Sequence, residues 1–454
     1  AAGVALAEPD AGPAASAAAT EAAPAVRLGE RREDAPATSL GRRALSLVGL
    51  GVFVLLGLAL SRERSAVRPR LVAWGLGLQL LFGLLVLKTA AGRAVFDGLH
   101  EGVTRLLAVT DEGARFGFGG LLDTCSFALN VLPTILFFSS LMTVLYHLGL
   151  MQRVVRGLAW ALERTMGTSG SETLSAAANI FVGQTEAPLV VKPYLPTMTR
   201  SELHAVMVGG FATVAGGVLA AYVGMLQGRF PDIAGHLLAA SVMSAPAALV
   251  MAKLMLPETE TSPTAGGAEL ALGSPYANLI DAAAQGAGEG LKLAANVAAM
   301  LLAFLALLAL ANALLAAPVT ALNALAGTSL EPVTLQQLLG WLFWPIAFVM
   351  GVAPEDCATV GMLLGEKIVL TEFVAYAHLA ELLESGAPLQ PRSLVIATYA
   401  LCGFANFGSI AIQIGGIGAL VPERRSELAQ LGLRAMIGGT LAACMTATVA
   451  GMLV

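Results

Sequence analysis

The chain of 454 residues is 56% hydrophobic, holds charged residues at only 13% of its positions and has a formal net charge of −5. A soluble domain carries about 25% charged residues, so this composition excludes a single water-soluble core. A mean hydropathy of +0.75 makes lipid the solvent for much of the surface, and the small negative charge argues against nucleic acid as a partner.

Residues 1–40 are rich in Ala, Pro, Glu and Arg without apolar periodicity and are expected to form a disordered tail. No signal peptide is evident in it, because the first long apolar run begins near Ala44. Eight runs then approach the roughly 20 residues that a helix needs to cross a bilayer. They are Ala44–Leu60, Leu71–Leu87, Phe127–Leu150, Leu203–Leu226, Gly235–Leu256, Ala294–Ala317, Ser393–Ile414 and Leu428–Leu453. Ala91–Val109 and Gln152–Arg164 are amphipathic and suit the membrane interface, and Pro257–Gly273 reads as a loop. Arg62, Arg64, Arg68 and Arg70 share one short loop. Placing that loop in the cytoplasm puts most later Arg and Lys inside and both termini outside.

Two segments fit neither class. Ser171–Leu195 and Glu355–Leu379 are semi-apolar but carry Glu, Lys, Gln and Thr in their middles. Each suits a re-entrant helical hairpin whose tip lies at membrane depth and is buried in protein. Each also holds a Thr-Glu pair, Thr185-Glu186 and Thr371-Glu372, and precedes a glycine-interrupted span. Those spans read GGFATVAGG (Gly209–Gly217) and CGFANFGS (Cys402–Ser409), sharing Gly-Phe-Ala. Three spans separate the hairpins, so the second copy enters from the opposite face. The expected fold is therefore an all-α polytopic membrane protein of about eight transmembrane helices and two re-entrant hairpins. Hairpin and discontinuous helix form an inverted repeat, which marks a transporter site. The expected divisions are the tail at 1–40, scaffold spans and interfacial helices at 41–166, and the first repeat at 167–256. A loop, an interfacial helix and a scaffold span follow at 257–350, and the second repeat occupies 351–454.

Glu186 and Glu372 carry the strongest chemical signal. A carboxylate at membrane depth costs about 3 kcal/mol or more, so it marks a function unless it is paired. The pairings to weigh against function are Glu186 with Lys192 and Glu372 with Lys367. Free carboxylates accept hydrogen bonds from sugar hydroxyls and exchange protons. Gln184 and Asn406 offer amide donors and acceptors that suit a nucleobase edge, and Phe404 offers a face for stacking. Asn179, Thr185 and Thr213 place oxygens beside glycines that free backbone carbonyls, an arrangement that holds Na⁺ in transporters. The four cysteines, Cys125, Cys357, Cys402 and Cys444, form no CxxC pair and read as small buried residues, and the five histidines show no metal spacing.

FALNVLPTILFFSSLMTVLYHLGLMQ (Phe127–Gln152), GQTEAPLVVKPYL (Gly183–Leu195), EFVAYAHL (Glu372–Leu379) and ALCGFANFGSIAIQIGGIGALVPERR (Ala400–Arg425) resemble the concentrative nucleoside transporters of the bacterial nucleoside permease type. The similarity runs from about Leu45 to the C-terminus. It implies a homotrimer in the plasma membrane (the inner membrane of a bacterium), with nucleosides and membrane lipid as partners. It implies no cofactor other than Na⁺ as coupling ion. By position it implies a nucleoside site of Gln184, Thr185, Glu186, Val218, Glu372, Phe404, Asn406 and Ser409. It implies a sodium site of Asn179, the Val182 carbonyl, Thr213 and the Val214 carbonyl. The chain departs from the family at Thr371, where Asn is usual, at Gly408, where Ser is usual, and at Thr213, where Ser is common. Proton coupling through either glutamate is the alternative within the class. A membrane-embedded enzyme using the two glutamates as acid and base is the alternative outside it, and no nucleophile or metal-ligand set accompanies them.

Overall fold

The computed structural model describes residues 40–119, 126–266, 276–385 and 389–454. The expected tail up to residue 39, Cys125 and residues 267–273 of the expected loop lie outside them. Every regular element among the described residues is a helix. Helices are one of two ways for a chain to satisfy its backbone polar groups in lipid.

Three helices come first: α1 (Leu40–Ala59), α2 (Pro69–Lys88) and α3 (Ala90–Phe118). The next seven are α4 (Ser126–His147), α5 (Leu150–Met166), α6 (Gly170–Asn179), α7 (Ala187–Val190), α8 (Arg200–Ala212), α9 (Gly216–Leu226) and α10 (Ile233–Met255). The last seven are α11 (Leu279–Ala326), α12 (Leu335–Met350), α13 (Cys357–Val369), α14 (Glu372–Glu384), α15 (Pro391–Leu401), α16 (Phe407–Leu420) and α17 (Arg425–Leu453). These two sets of seven share one order: a long helix, a shorter one, a helical hairpin, a broken helix and a final long helix. The repeated unit is therefore larger than the hairpin and broken helix legible in the sequence.

Six segments among the described residues are long and apolar enough to cross a bilayer: Gly41–Ala59, Pro69–Lys88, Arg200–Leu226, Ile233–Met255, Leu279–Ala326 and Pro422–Leu453. A seventh arises if Leu132–His147 and Leu150–Met166, bent by 77°, count as one. The bend falls at Gly149, whose φ of +74° suits glycine. The span Ser393–Ile414 is divided, as its glycine-interrupted centre predicts, into α15 and α16, separated by five non-helical residues.

The core consists of α8 with α9, α10 and α17, whose apolar windows are 83–89% buried, against 17% for α11 and 28% for α1 and α2. The outer helices therefore face lipid or other protein. α11 packs closely on α4 because Gly290 has no side chain: a Cβ there would lie 2.8 Å from Leu136 Cα. Small residues permit such approaches where no hydrophobic effect drives helices together.

A buried polar cluster fixes where α6 and α8 begin. Ser169 with Glu172 and Thr199 with Glu202 form capping boxes at the two N-termini. Glu202 Oε1 also accepts hydrogen bonds from the hydroxyls of Ser169, Ser171, Ser262 and Thr264. Lys253 Nζ, near the end of α10, lies 2.6 Å from Glu172 Oε2 and 3.3 Å from Glu258 Oε2, and donates to Ser201 Oγ at 2.8 Å. From this cluster α6 and α8 run side by side, bringing the Asn179 amide against Gly209.

Candidate functional site

The site begins where two helices stop. α8 and α9 are separated by Thr213, Val214 and Ala215, and α15 and α16 by Cys402 to Asn406. The breaks are bonded to each other: the Phe404 N–H donates to the Thr213 carbonyl at 3.2 Å. Gly403 makes this approach possible. Its φ is +155°, and a Cβ there would lie 2.8 Å from the Phe211 carbonyl oxygen. Gly403→Ala is expected to cost at least about 1–3 kcal/mol through backbone strain and to push the breaks apart. A lowered thermal midpoint would show this, and an unchanged midpoint would refute it.

The shared Gly-Phe-Ala does not occupy equivalent positions. Gly210, Phe211 and Ala212 are the last helical residues of α8, whereas Gly403, Phe404 and Ala405 lie within the second break. Phe211 is consequently fully buried, and Phe404 is partly exposed. The two copies share the break itself and a Thr-Glu pair at the second helix of each hairpin, one residue out of register: Glu186 stands at the N-cap position of α7 without a capping hydrogen bond, whereas Thr371 caps α14 by accepting from the Val374 N–H.

The first hairpin tip meets the second broken helix. Gln184, 7% exposed, donates through Nε2 to Ser409 Oγ and accepts at Oε1 from Gln413 Nε2, both at 3.1 Å. Gln413 also donates to the Met207 carbonyl at 3.1 Å. Gln184 retains one amide hydrogen and one lone pair for another partner. The Thr185 methyl packs toward Gly416 of α16, and Val218 is buried on α9. Glu186 is exposed at the tip, and no ion pair joins it to Lys192.

The second tip holds Glu372, 5% exposed, with both oxygens engaged. Tyr222 Oη on α9 donates to Oε1, and Asn406 Nδ2 donates to Oε2, each at 3.0 Å. Asn406 Oδ1 in turn accepts from the Ser409 N–H at 2.8 Å, capping α16. Lys367 is not ion-paired with Glu372; its Nζ donates to the Ala400 carbonyl at 2.8 Å, near the C-terminal end of α15. Tyr222 and Gln413 escaped the sequence-based assignment. Gln413, a lone amide in the apolar stretch SIAIQIGG, carried a usable signal. Tyr222 carried none, because a tyrosine in an apolar run looks like core.

Of the four residues expected around sodium, Thr213 and Val214 lie in the first break, and Asn179 and Val182 lie at and just after the end of α6 beside it. Gly216 N–H donates to the Phe181 carbonyl at 3.1 Å, which ties the end of α6 to the break. Asn179 Nδ2 donates to the Ser175 carbonyl, while its buried Oδ1 has no hydrogen-bond partner. Among the described residues, the carbonyls of Val182 and Val214 accept no backbone hydrogen bond. Thr213 Oγ1 donates to the Gly209 carbonyl at 3.0 Å, leaving its lone pairs free. α6 and α8 both end here, so their C-terminal dipoles favour a cation. Two carbonyls free of backbone hydrogen bonds, a hydroxyl whose proton is committed to the Gly209 carbonyl and an orphaned buried Oδ1 fit Na⁺. Among the described residues, no cluster of His, Cys, Asp and Glu suits another metal, and Cys357, Cys402 and Cys444 are free and buried. A cavity of about 460 Å³ lies elsewhere, at the base of α6 and α10 beside Glu172, Lys253 and Glu258, and none of the expected site residues lines it.

Residues 236–451 match the family described as Na⁺ dependent nucleoside transporter C-terminus, and residues 48–121 match its N-terminus. Residues 128–229 match the family described as nucleoside recognition. The uncharacterized transporter YutK of Bacillus subtilis is 45% identical over 412 residues, covering 90% of this chain and 98% of YutK. The chain belongs to the Na⁺-dependent nucleoside transporter family. That is a family of transporters, not enzymes, and this member is an integral membrane protein. Sodium/nucleoside cotransporter 1 of Rattus norvegicus is 46% identical over 424 residues, covering 90% of this chain. The chain spans 63% of that relative's length. Among solved structures, CNTnw in an inward-facing substrate-bound state is 42% identical, with a TM-score of 0.83 over 91% of this chain and 98% of CNTnw. A CNTnw variant in an outward-facing state is 41% identical, with a TM-score of 0.82 over 90% of this chain and 97% of the variant.

Proposed function

We propose that this protein is a secondary active transporter that imports nucleosides across the plasma membrane by symport with Na⁺. One observation carries the reading: Thr213, which offers oxygen to a cation, is hydrogen-bonded through its backbone to Phe404, which offers a ring to a base. Ion and substrate then bind on joined strands of unwound backbone. Asn179, Thr213 and the carbonyls of Val182 and Val214 hold Na⁺. Glu372 and Glu186 accept sugar hydroxyls, with Asn406 and Ser409 beside them. The free amide hydrogen and lone pair of Gln184 address the base edge, with Thr185 and Val218 alongside and Phe404 stacking. Because the two breaks are hydrogen-bonded to each other, ordering one side prepares the other, as symport requires.

Purified protein in vesicles is expected to accumulate labelled uridine or adenosine above equilibrium when Na⁺ is higher outside. Absence of saturable uptake for every common nucleoside, in folded protein, would end the proposal. Uptake that persists in choline but collapses when a pH gradient is dissipated would assign the coupling to protons. The same reading extends to a homotrimer. α11 exposes Leu302, Leu305, Leu310 and Leu314, an apolar face for lipid or further copies. Native mass spectrometry should find three 46.4 kDa chains together.

A further inference from the structure

Glu372 is held between the two broken helices. Its Oε2 takes a hydrogen bond from Asn406 of the second break, and its Oε1 takes one from Tyr222 of α9, which continues from the first break. Tyr222 is fully buried, and its ring is committed to the same hairpin arm as its hydroxyl. It stacks on Tyr376 with centroids 4.2 Å apart at 26°, and lies 5.7 Å from Phe373. Both are on α14, which Glu372 begins. Tyr376 Oη donates to the Thr398 carbonyl on α15 at 2.6 Å, so the stack is anchored from behind.

α9 starts at Gly216, directly after the break that contains Thr213 and Val214. Tyr222 sits six residues into it, about 9 Å along a rigid helical rod. A change of conformation at Thr213 and Val214 moves α9 as a unit and moves the Tyr222 hydroxyl with it. That hydroxyl is a donor aimed at a buried carboxylate, so a small displacement alters how Glu372 is oriented and how much of its acceptor capacity remains for a ligand.

We propose that the Tyr222–Glu372 hydrogen bond carries coupling between sodium at the first break and nucleoside at the second hairpin, with Tyr222 as a positioning residue that touches neither. This rests on the sodium and nucleoside sites proposed above. Coupling between two ligands is reciprocal, and the factor by which one tightens the other is typically about 5–150. Tyr222→Phe removes the hydroxyl and keeps the stacked ring. It is expected to bring that factor to within about twofold of unity while each ligand still binds alone.

The measurement is calorimetric titration of uridine into purified full-length protein in Na⁺ and in choline, and of Na⁺ with and without uridine. Tyr376→Phe is the control, since it removes an equally buried phenol hydroxyl that does not touch Glu372, and it should preserve the wild-type factor. An unchanged factor in Tyr222→Phe overturns the proposal. So does a loss of uridine affinity that is equal in Na⁺ and choline, which would make Tyr222 a support for substrate alone. If Tyr222→Phe does not fold, Glu372→Asp serves instead: it retains the charge but withdraws the carboxylate from the hydroxyl, and its factor should also collapse. Wild-type protein that binds uridine equally in Na⁺ and choline would refute the sodium reading itself, and this proposal with it. That outcome is separate, because it appears before any substitution is made.

Discussion

Glu372→Gln is expected to weaken nucleoside binding roughly ten- to a hundredfold, because a hydrogen bond to a charged acceptor contributes about 1.5–3 kcal/mol more than none. The substitution is nearly isosteric, but the amide has one acceptor oxygen where the carboxylate has two. Tyr222 and Asn406 already donate to those two oxygens. In the glutamine, the NH₂ would face one of two donors, so either Tyr222 or Asn406 loses its acceptor and the sugar loses the charge. Glu372→Ala should be worse, since the Tyr222 hydroxyl and the Asn406 amide are then both left buried without this partner. The penalty should shrink for the deoxyribose analogue that lacks the contacted hydroxyl, because that ligand has less to lose. Binding of uridine and its deoxy analogues to wild type and mutant forms a double-mutant cycle. Strictly additive losses for every hydroxyl removed would show that Glu372 does not touch the sugar. Glu186 should obey the same rule, with a milder structural penalty, because it is exposed and holds no ion pair.

The sequence disclosed the site where polar residues stand out against apolar runs. Glu186, Glu372, Gln184 and Asn406 are conspicuous for that reason, and each lies at a tip or a break. Broken helices were legible for the same reason: GGFATVAGG and CGFANFGS interrupt spans with residues that favour unwound backbone. What was not legible depends on register and on partners distant in the chain. Gly-Phe-Ala suggested an alignment of the two copies that the helix ends do not share, since three residues of identity carry no information about where a helix stops. Tyr222 reaches Glu372 across 150 residues, and Gln413 reaches Gln184 across 229. No local pattern announces such pairs. α12 is apolar but only 16 residues long, so hydropathy alone could not separate a supporting helix from an interfacial one.

Lys253→Met is expected to be the most destabilising of the charge-removing changes. Lys253 is 7% exposed and Glu172 is 2% exposed, and removing one partner of a buried pair costs about 3–5 kcal/mol because the other charge stays buried. Glu172→Gln should cost less, because Lys253 keeps Glu258 Oε2 and the Ser201 hydroxyl. The double variant should lose less than the sum of the singles, the sign of a direct interaction. Apparent melting midpoints of the four proteins in one detergent test this order, and equal midpoints for Lys253→Met and wild type would remove the pair from any account of stability. The consequence should reach the ion site. α6 and α8 both start at this cluster, and they end at Asn179 and at Ala212, next to Thr213. If the cluster loosens, the two helices lose their common register, and the oxygens proposed to hold Na⁺ move apart. Apparent Na⁺ affinity should therefore fall in Lys253→Met protein that is still folded, with a smaller change in nucleoside affinity measured without Na⁺.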